Sequence, residues 1–206
     1  MFEVEVKVPA ELDRVRRRLE AADAERLETI RQVDRYFQAP HRDLAVTDEA
    51  VRIREEVSLD PDAGVSPSTD VGTGTTGRVF LTYKGPKLEA ASKTRRERIV
   101  RIDDPDEMAV ILERLGFGPV PPVEKRRERW RLDDVELTLD RVAGLGEYVE
   151  AERTVDDRAA VDDARATLES TLERLGLVPD DGIRQSYLEL LLARAGEQNG
   201  ADGPGR

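Results

Sequence analysis

The first ten residues, MFEVEVKVPA, alternate strictly: Phe2, Val4, Val6 and Val8 share one face of an extended chain, and Glu3, Glu5 and Lys7 share the other. That two-residue period predicts a strand. Over residues 10–22 the period becomes helical, with Leu12, Val15 and Leu19 on one stripe just after Pro9. Alternation returns in RLETIRQVDRYFQ, and AVRIREEV sets Val51 and Ile53 against Arg52 and Arg54. Residues 59–77, LDPDAGVSPSTDVGTGTTG, lose every apolar period and predict a long flexible loop. Beyond it, RVFLTYKG and KTRRERIVRI read as two more strands, the first with Arg78, Phe80, Thr82 and Lys84 on one face.

Asp104 is a natural N-cap, Pro105 suits a first turn, and Met108, Ile111, Leu112 and Leu115 form a helical stripe that stops at Gly116. Strands follow over 122–132, 135–142 and 147–154, with turns at Asp133-Asp134 and Gly144-Leu145-Gly146. Helices over 159–175 and 183–195 close the fold, and 196–206 predict a disordered tail. The pattern is that of one α+β domain over residues 1–195: an antiparallel β-barrel of eight strands with helices packed on the outside. The similar passages ILERLGF and TLERLGL suggest two related halves.

A half-buried strand ordinarily turns its charged face to water, which explains any one of these strands alone. It does not explain their sum. Glu3, Glu5 and Lys7, then Arg52 and Arg54, Lys84, Arg95 and Glu97, Lys125, Arg127 and Arg129, Glu136 and Asp140, and Glu150 and Glu152 recur two residues apart on strand after strand. In a barrel whose outer apolar face lies under helices, those charges line the interior. Cations and carboxylates in one cavity suit a polyphosphate with a divalent metal: Arg and Lys hold phosphate oxygens, and Asp and Glu hold the ion that bridges them. Trp130 alternates away from Lys125, Arg127 and Arg129 and belongs under a helix, and His41, beside Pro40, reads as a loop residue.

Composition narrows this further. The net charge is -11, which with no basic patch argues against a nucleic-acid partner. There is no cysteine, so an ion must be held by carboxylates or the single histidine, which favours magnesium or manganese over zinc. An acidic surface with lysine only at 7, 84, 87, 93 and 125 suits concentrated salt, and an ordinary acidic cytoplasmic protein has the same balance. No apolar run long enough to span a membrane is present, and GTGTTG lacks the lysine and the strand-to-helix setting of a phosphate loop. These features point to a cytoplasmic protein.

EVEVK at the start resembles the ExExK signature of the CYTH superfamily, the triphosphate tunnel metalloenzymes that include class IV adenylyl cyclases and thiamine triphosphatases. VRIREE, LTYKGP, KTRRE, LTLDRVAGLGEYVEAE and SYLELL follow in the order that family shows. The resemblance implies an eight-stranded tunnel binding a triphosphate with magnesium or manganese. It further implies Glu3, Glu5, Asp140, Glu150 and Glu152 as metal ligands and Lys7, Arg52, Arg54, Lys84 and Arg127 as a phosphate cradle. Lys125 and Arg95 are further phosphate contacts, and Glu97, placed with Lys84 at the reacting centre, binds metal or orients a water. Two positions depart from the family: Ile99 stands where a further acid is common, and Gln185, next to Arg184, stands where lysine is common. Tyr187 is assigned to packing ahead of closing a tunnel end.

Two reactions fit such a tunnel: cyclisation of ATP to cyclic AMP and pyrophosphate, and hydrolysis of inorganic triphosphate or thiamine triphosphate. A non-catalytic nucleotide or polyphosphate-binding module is the third reading, and a homodimer is compatible with all of them. The overall layout looks most like class IV adenylyl cyclases.

Overall fold

A computed structural model describes residues 2–60, 77–89 and 92–201, with the side chains of Glu3, 87–89, 92–95 and 197–201 outside that description. Eight strands and four helices follow in the order β1 (Phe2–Pro9), α1 (Leu12–Ala21), β2 (Glu25–Gln38), β3 (Ala50–Ser58), β4 (Gly77–Glu89), β5 (Ser92–Arg101), α2 (Pro105–Arg114), β6 (Gly118–Leu132), β7 (Val135–Val142), β8 (Gly146–Val155), α3 (Val161–Arg174) and α4 (Tyr187–Ala201). Single 3-10 turns at Arg158–Ala160 and Pro179–Asp181 precede α3 and α4. The elements read from the pattern are present, and their ends move for identifiable reasons.

Strand β6 starts at Gly118, ahead of the expected residue 122, because the prolines at its beginning are absorbed by an irregularity. The pairing with β2 shifts register between Asp34 and Tyr36, leaving Pro121 and Pro122 outside the ladder that proline cannot donate to. Helix α4 begins at Tyr187, later than residue 183, since the 3-10 turn at Pro179–Asp181 and the contact of Ile183 N with Lys7 O occupy the intervening chain. It runs on through Ala201 into the stretch expected to be disordered. Most of the expected 59–77 loop lies outside the described residues.

All eight strands form one antiparallel sheet in the order β1-β8-β7-β6-β2-β3-β4-β5. The sheet curls until its edges, β1 and β5, come together, but among the described residues no hydrogen-bonded ladder joins them. The expected closed barrel is thus a curled sheet with a seam. The pairing of β5 with β4 is irregular, with register shifts between Lys84 and Lys87 and between Lys87 and Glu89.

The apolar faces look outward, under the helices. Val4 and Val8 of β1, Leu137 and Leu139 of β7 and Val149 and Ala151 of β8 pack against Leu12, Val15 and Leu19 of α1 and Leu168 and Leu172 of α3. Trp130 joins this core, as its alternation predicts. Ile53 and Phe37 pack against Leu112 of α2. Each such fully buried Val or Leu stabilises the fold by roughly 1.5–3 kcal/mol. Asp104 caps α2 by accepting from the backbone N–H groups of Asp106 and Glu107, with Pro105 where its missing N–H costs nothing. Asp133 takes a φ of 56° to turn β6 tightly into β7, which sets the register of the charged face between them.

Candidate ion-paired interior site

With the valines turned outward, the charged side chains meet inside in two clusters. The first spans β6, β7, β8 and β1. Register pairs Arg127 with Asp140, and the guanidinium clasps that carboxylate at 2.7 Å (Nε to Oδ1) and 2.5 Å (Nη2 to Oδ2) while also reaching Glu150 Oε2. Lys125, two residues along on the same face, lies 3.7 Å from Asp140 Oδ2, and Lys7 on β1 lies 3.3 Å from Glu150 Oε1. Asp140 is completely buried. Burial disfavours the Arg127 charge, but Asp140 and Glu150 outweigh it and hold the group well above its ordinary value. Burial, and then the neighbouring Arg127 charge, push Lys125 down to about 8.

Tyr187, the first residue of α4, closes this cluster. Its hydroxyl donates to Asp140 Oδ2 at 2.9 Å, and its ring lies 4.1 Å from Lys7 Nζ and 5.0 Å from Lys125 Nζ. Burial, with Glu150 and Asp140 beyond it, pushes the phenol far up, so it stays a donor. Lys7 also donates to the main-chain oxygen of Gln185 at 3.0 Å. The residue at the departure from the family pattern therefore takes part through its backbone, while the side chains of Arg184 and Gln185 are exposed. Packing alone does not describe Tyr187: it joins α4 to both buried lysines.

The second cluster lies across β2 and β3. Asp34 accepts from Arg54 at 2.6 Å (Nε) and 2.7 Å (Nη2), and Arg52 Nη1 stands 3.5 Å away. Burial tends to raise the Asp34 pKa, yet Arg54 and Arg52 hold it well below the usual carboxylate range. Asp34 did not stand out in the sequence, although its place opposite Arg54 in QVDRYFQ was a readable signal once the pairing of β2 with β3 was known. Beside it, Gln32 donates to Glu56 Oε1 at 3.0 Å, another buried acid the charge pattern passed over. At β4 and β5, Lys84 and Glu97 face each other and form an ion pair at 2.5 Å. Burial and Arg52 lower the Lys84 pKa, against the pull of Glu97.

Among the described residues, these clusters join the cations Lys7, Arg52, Arg54, Lys84, Lys125 and Arg127 to the carboxylates Asp34, Glu97, Asp140 and Glu150. The Nε of Arg52 is buried and without a hydrogen-bond partner among the described residues. Buried cations converging beside an orphaned donor are the setting an anion completes. The side chains of Glu3 and Arg95 lie outside the described residues.

The acidic positions fit a hard divalent cation by chemistry and register. Glu5 stands opposite Glu152 and Glu152 opposite Glu136 across β1, β8 and β7, a row of carboxylates of the hard-oxygen kind. Asp140 and Glu150 face cations instead, and among the described residues no three acids or histidines stand together in metal-holding geometry. Ile99, where a further acid is common in the family, is exposed.

A single antiparallel sheet of eight strands, curled around interlocked cations and carboxylates and covered outside by helices, defines an α+β protein with a charged interior. A family model confirms the class: the CYTH domain model matches residues 1–187, and the chain belongs to the CYTH family. It is 37% identical over 92% of its length to 98% of a Methanocaldococcus jannaschii protein named "Putative adenylate cyclase MJ0240". It is 30% identical, over 92% of its length and 88% of the relative, to the adenylate cyclase CyaB of Aeromonas hydrophila. Among solved structures, the PH1819 protein of Pyrococcus horikoshii is 38% identical with a TM-score of 0.78, covering 94% of this chain and 99% of that one. No helix among the described residues is long and apolar enough to cross a membrane.

Proposed function

We propose that the protein is a class IV type adenylyl cyclase, converting ATP to cyclic AMP and pyrophosphate with magnesium or manganese inside the curled sheet. The observation that carries the triphosphate part is the convergence of buried cations around Asp34 and Asp140. The names of the curated relatives support the cyclase part.

In this reading Arg52, Arg54, Arg127, Lys125 and Lys7 bind the phosphate chain, with Arg95 a further contact, and Glu5 and Glu152, joined by Glu3, hold the divalent ion. When bound, that ion neutralises phosphate oxygens and makes the phosphorus a better electrophile. Asp34 and Asp140 fix the guanidinium planes before substrate arrives, so little reorganisation is left for the reaction step. The ribose 3'-hydroxyl attacks the α-phosphorus, the bond from that phosphorus to the bridging oxygen breaks, and pyrophosphate leaves. Glu97 takes the hydroxyl proton, and Lys84, ion-paired with it, neutralises the leaving pyrophosphate. Positioning accounts for much of the rate in such phosphoryl transfers.

The test is incubation of the purified chain with ATP, inorganic triphosphate or thiamine triphosphate and magnesium or manganese. Cyclic AMP plus pyrophosphate is the expected result. Orthophosphate alone makes the protein a triphosphate hydrolase, and binding without product makes it a binding module. Glu152→Gln is expected to abolish metal-dependent turnover with the fold intact, and full activity of that variant and of Glu5→Gln together would remove the acidic row from the site.

A further inference from the structure

The inner face of β4 and β5 carries two apolar side chains among charged and hydroxyl ones. Strand pairing sets two rows across β3, β4 and β5: Arg52, Thr82 and Ile99 in one, and Arg54, Phe80 and Arg101 in the other. Each row begins at an arginine that reaches Asp34. On the far side of Thr82 and Ile99 the same face carries the ion pair of Lys84 with Glu97. Phe80 and Ile99 are therefore diagonal neighbours on adjacent strands, at the roughly 7–8 Å spacing that long and aromatic side chains bridge.

Neither side chain joins the outer cores. Those take Val79 and Leu81 from β4, and among the described residues Phe80 and Ile99 belong to none of the apolar clusters. Ile99 is 59% exposed although it shares the face of Glu97, and Phe80 is half-buried. A single exposed isoleucine is ordinary on a protein surface. This one stands beside a phenylalanine, at the position where an acid is common in the family, on a face otherwise built for charge. Strands lie about 4.7–4.9 Å apart, which puts Phe80 one strand from Arg54 and Ile99 two strands from Arg52. A phosphate gripped by those arginines has this apolar pair within the reach of one ribose.

We propose that Phe80 and Ile99 form the nucleobase contact of the interior site and make it prefer a nucleoside triphosphate to inorganic triphosphate; the inference rests on the triphosphate reading above. With the phosphates on Arg52 and Arg54, the base stacks on the Phe80 ring and Ile99 covers its edge. Stacking on an aromatic ring accepts any base, so the pair selects for the presence of a base and not for adenine among bases.

Calorimetric titration of the full chain with magnesium compares methylene-bridged analogues of ATP and of inorganic triphosphate, in which no P–O–P bond is left to break. The readout is the ratio of the two affinities, because a variant that merely disturbs the fold weakens both together. Phe80→Ala should weaken the ATP analogue roughly tenfold, within the range for lost base–aromatic stacking, and leave the inorganic analogue unchanged. Ile99→Ser, at an exposed position, should move the ratio the same way by a smaller factor, and it decides the matter should Phe80→Ala not fold. An unchanged ratio in the folded variants, with both analogues bound, overturns the base contact and leaves the triphosphate site standing. Failure of the inorganic analogue to bind the unaltered chain overturns the triphosphate reading and this inference with it.

Discussion

The two interior clusters solve the burial of charge differently. Around Asp34, a carboxylate takes one guanidinium in a two-point clasp with a second beside it, and the clasp holds Asp34 well below and Arg54 above its ordinary range. Around Asp140, two acids are shared among an arginine, two lysines and a phenol, and one lysine titrates near physiological pH. The first is a rigid anchor and the second an adjustable one. A site that must hold a polyanion and let it go benefits from having both.

The largest expected difference comes from deleting each acid. Asp34→Ala strands Arg52 and Arg54 with no other carboxylate in contact among the described residues, and loss of one partner from a buried pair costs about 3–5 kcal/mol. Asp140→Ala leaves Arg127 still held by Glu150 and should cost less. Urea unfolding of the two variants checks the order, and equal losses would show that the clusters do not differ in this way.

A second contrast is in pH. Lys125 falls from 10.5 in the unfolded chain to about 8 when folded, so between those values the unfolded state holds a proton the folded state has released. Stability therefore rises with pH across that window, by the linkage sign. Triphosphate affinity should move oppositely, strong below about 8 and falling by up to roughly tenfold per unit above it, because the anion needs the charged lysine. Calorimetric titration across this range checks the affinity, and Lys125→Arg should flatten the curve. Asp34 and Arg54 should contribute no slope there.

The smallest effect sharpens the role of α4. Tyr187→Phe keeps the ring over Lys7 and Lys125 but removes the bond to Asp140, and should cost about 1 kcal/mol or somewhat more for a charged acceptor. Thermal unfolding measures it. A loss near zero would mean that the ring alone joins the helix to the site.

Much of the fold was legible because strand and helix periods are local properties of the chain. Glu3, Glu5 and Lys7 alternating with valines define two faces, and repetition of charged faces on later strands argued which one turns inward. Arg52, Arg54, Lys84, Lys125 and Arg127 were visible for the same reason. Asp34, Glu56 and the bond from Tyr187 were not, since an isolated acid in a strand or an aromatic at a helix start has an ordinary meaning alone.

By itself the sequence determined the alternation, the helical stripes with the Asp104 cap of α2, the outward burial of Val4, Val8 and Trp130, and membership of a charged-barrel family. Only the tertiary structure decided that Asp140 faces Arg127 and Tyr187, that Glu5, Glu152 and Glu136 stand in one row, that β1 and β5 meet at a seam, and that Phe80 and Ile99 fall in the rows of Arg54 and Arg52. The physical reason is that a residue's face is set by its own neighbours in the chain, whereas its partner is set by strand order and register. Those depend on contacts between residues far apart in sequence.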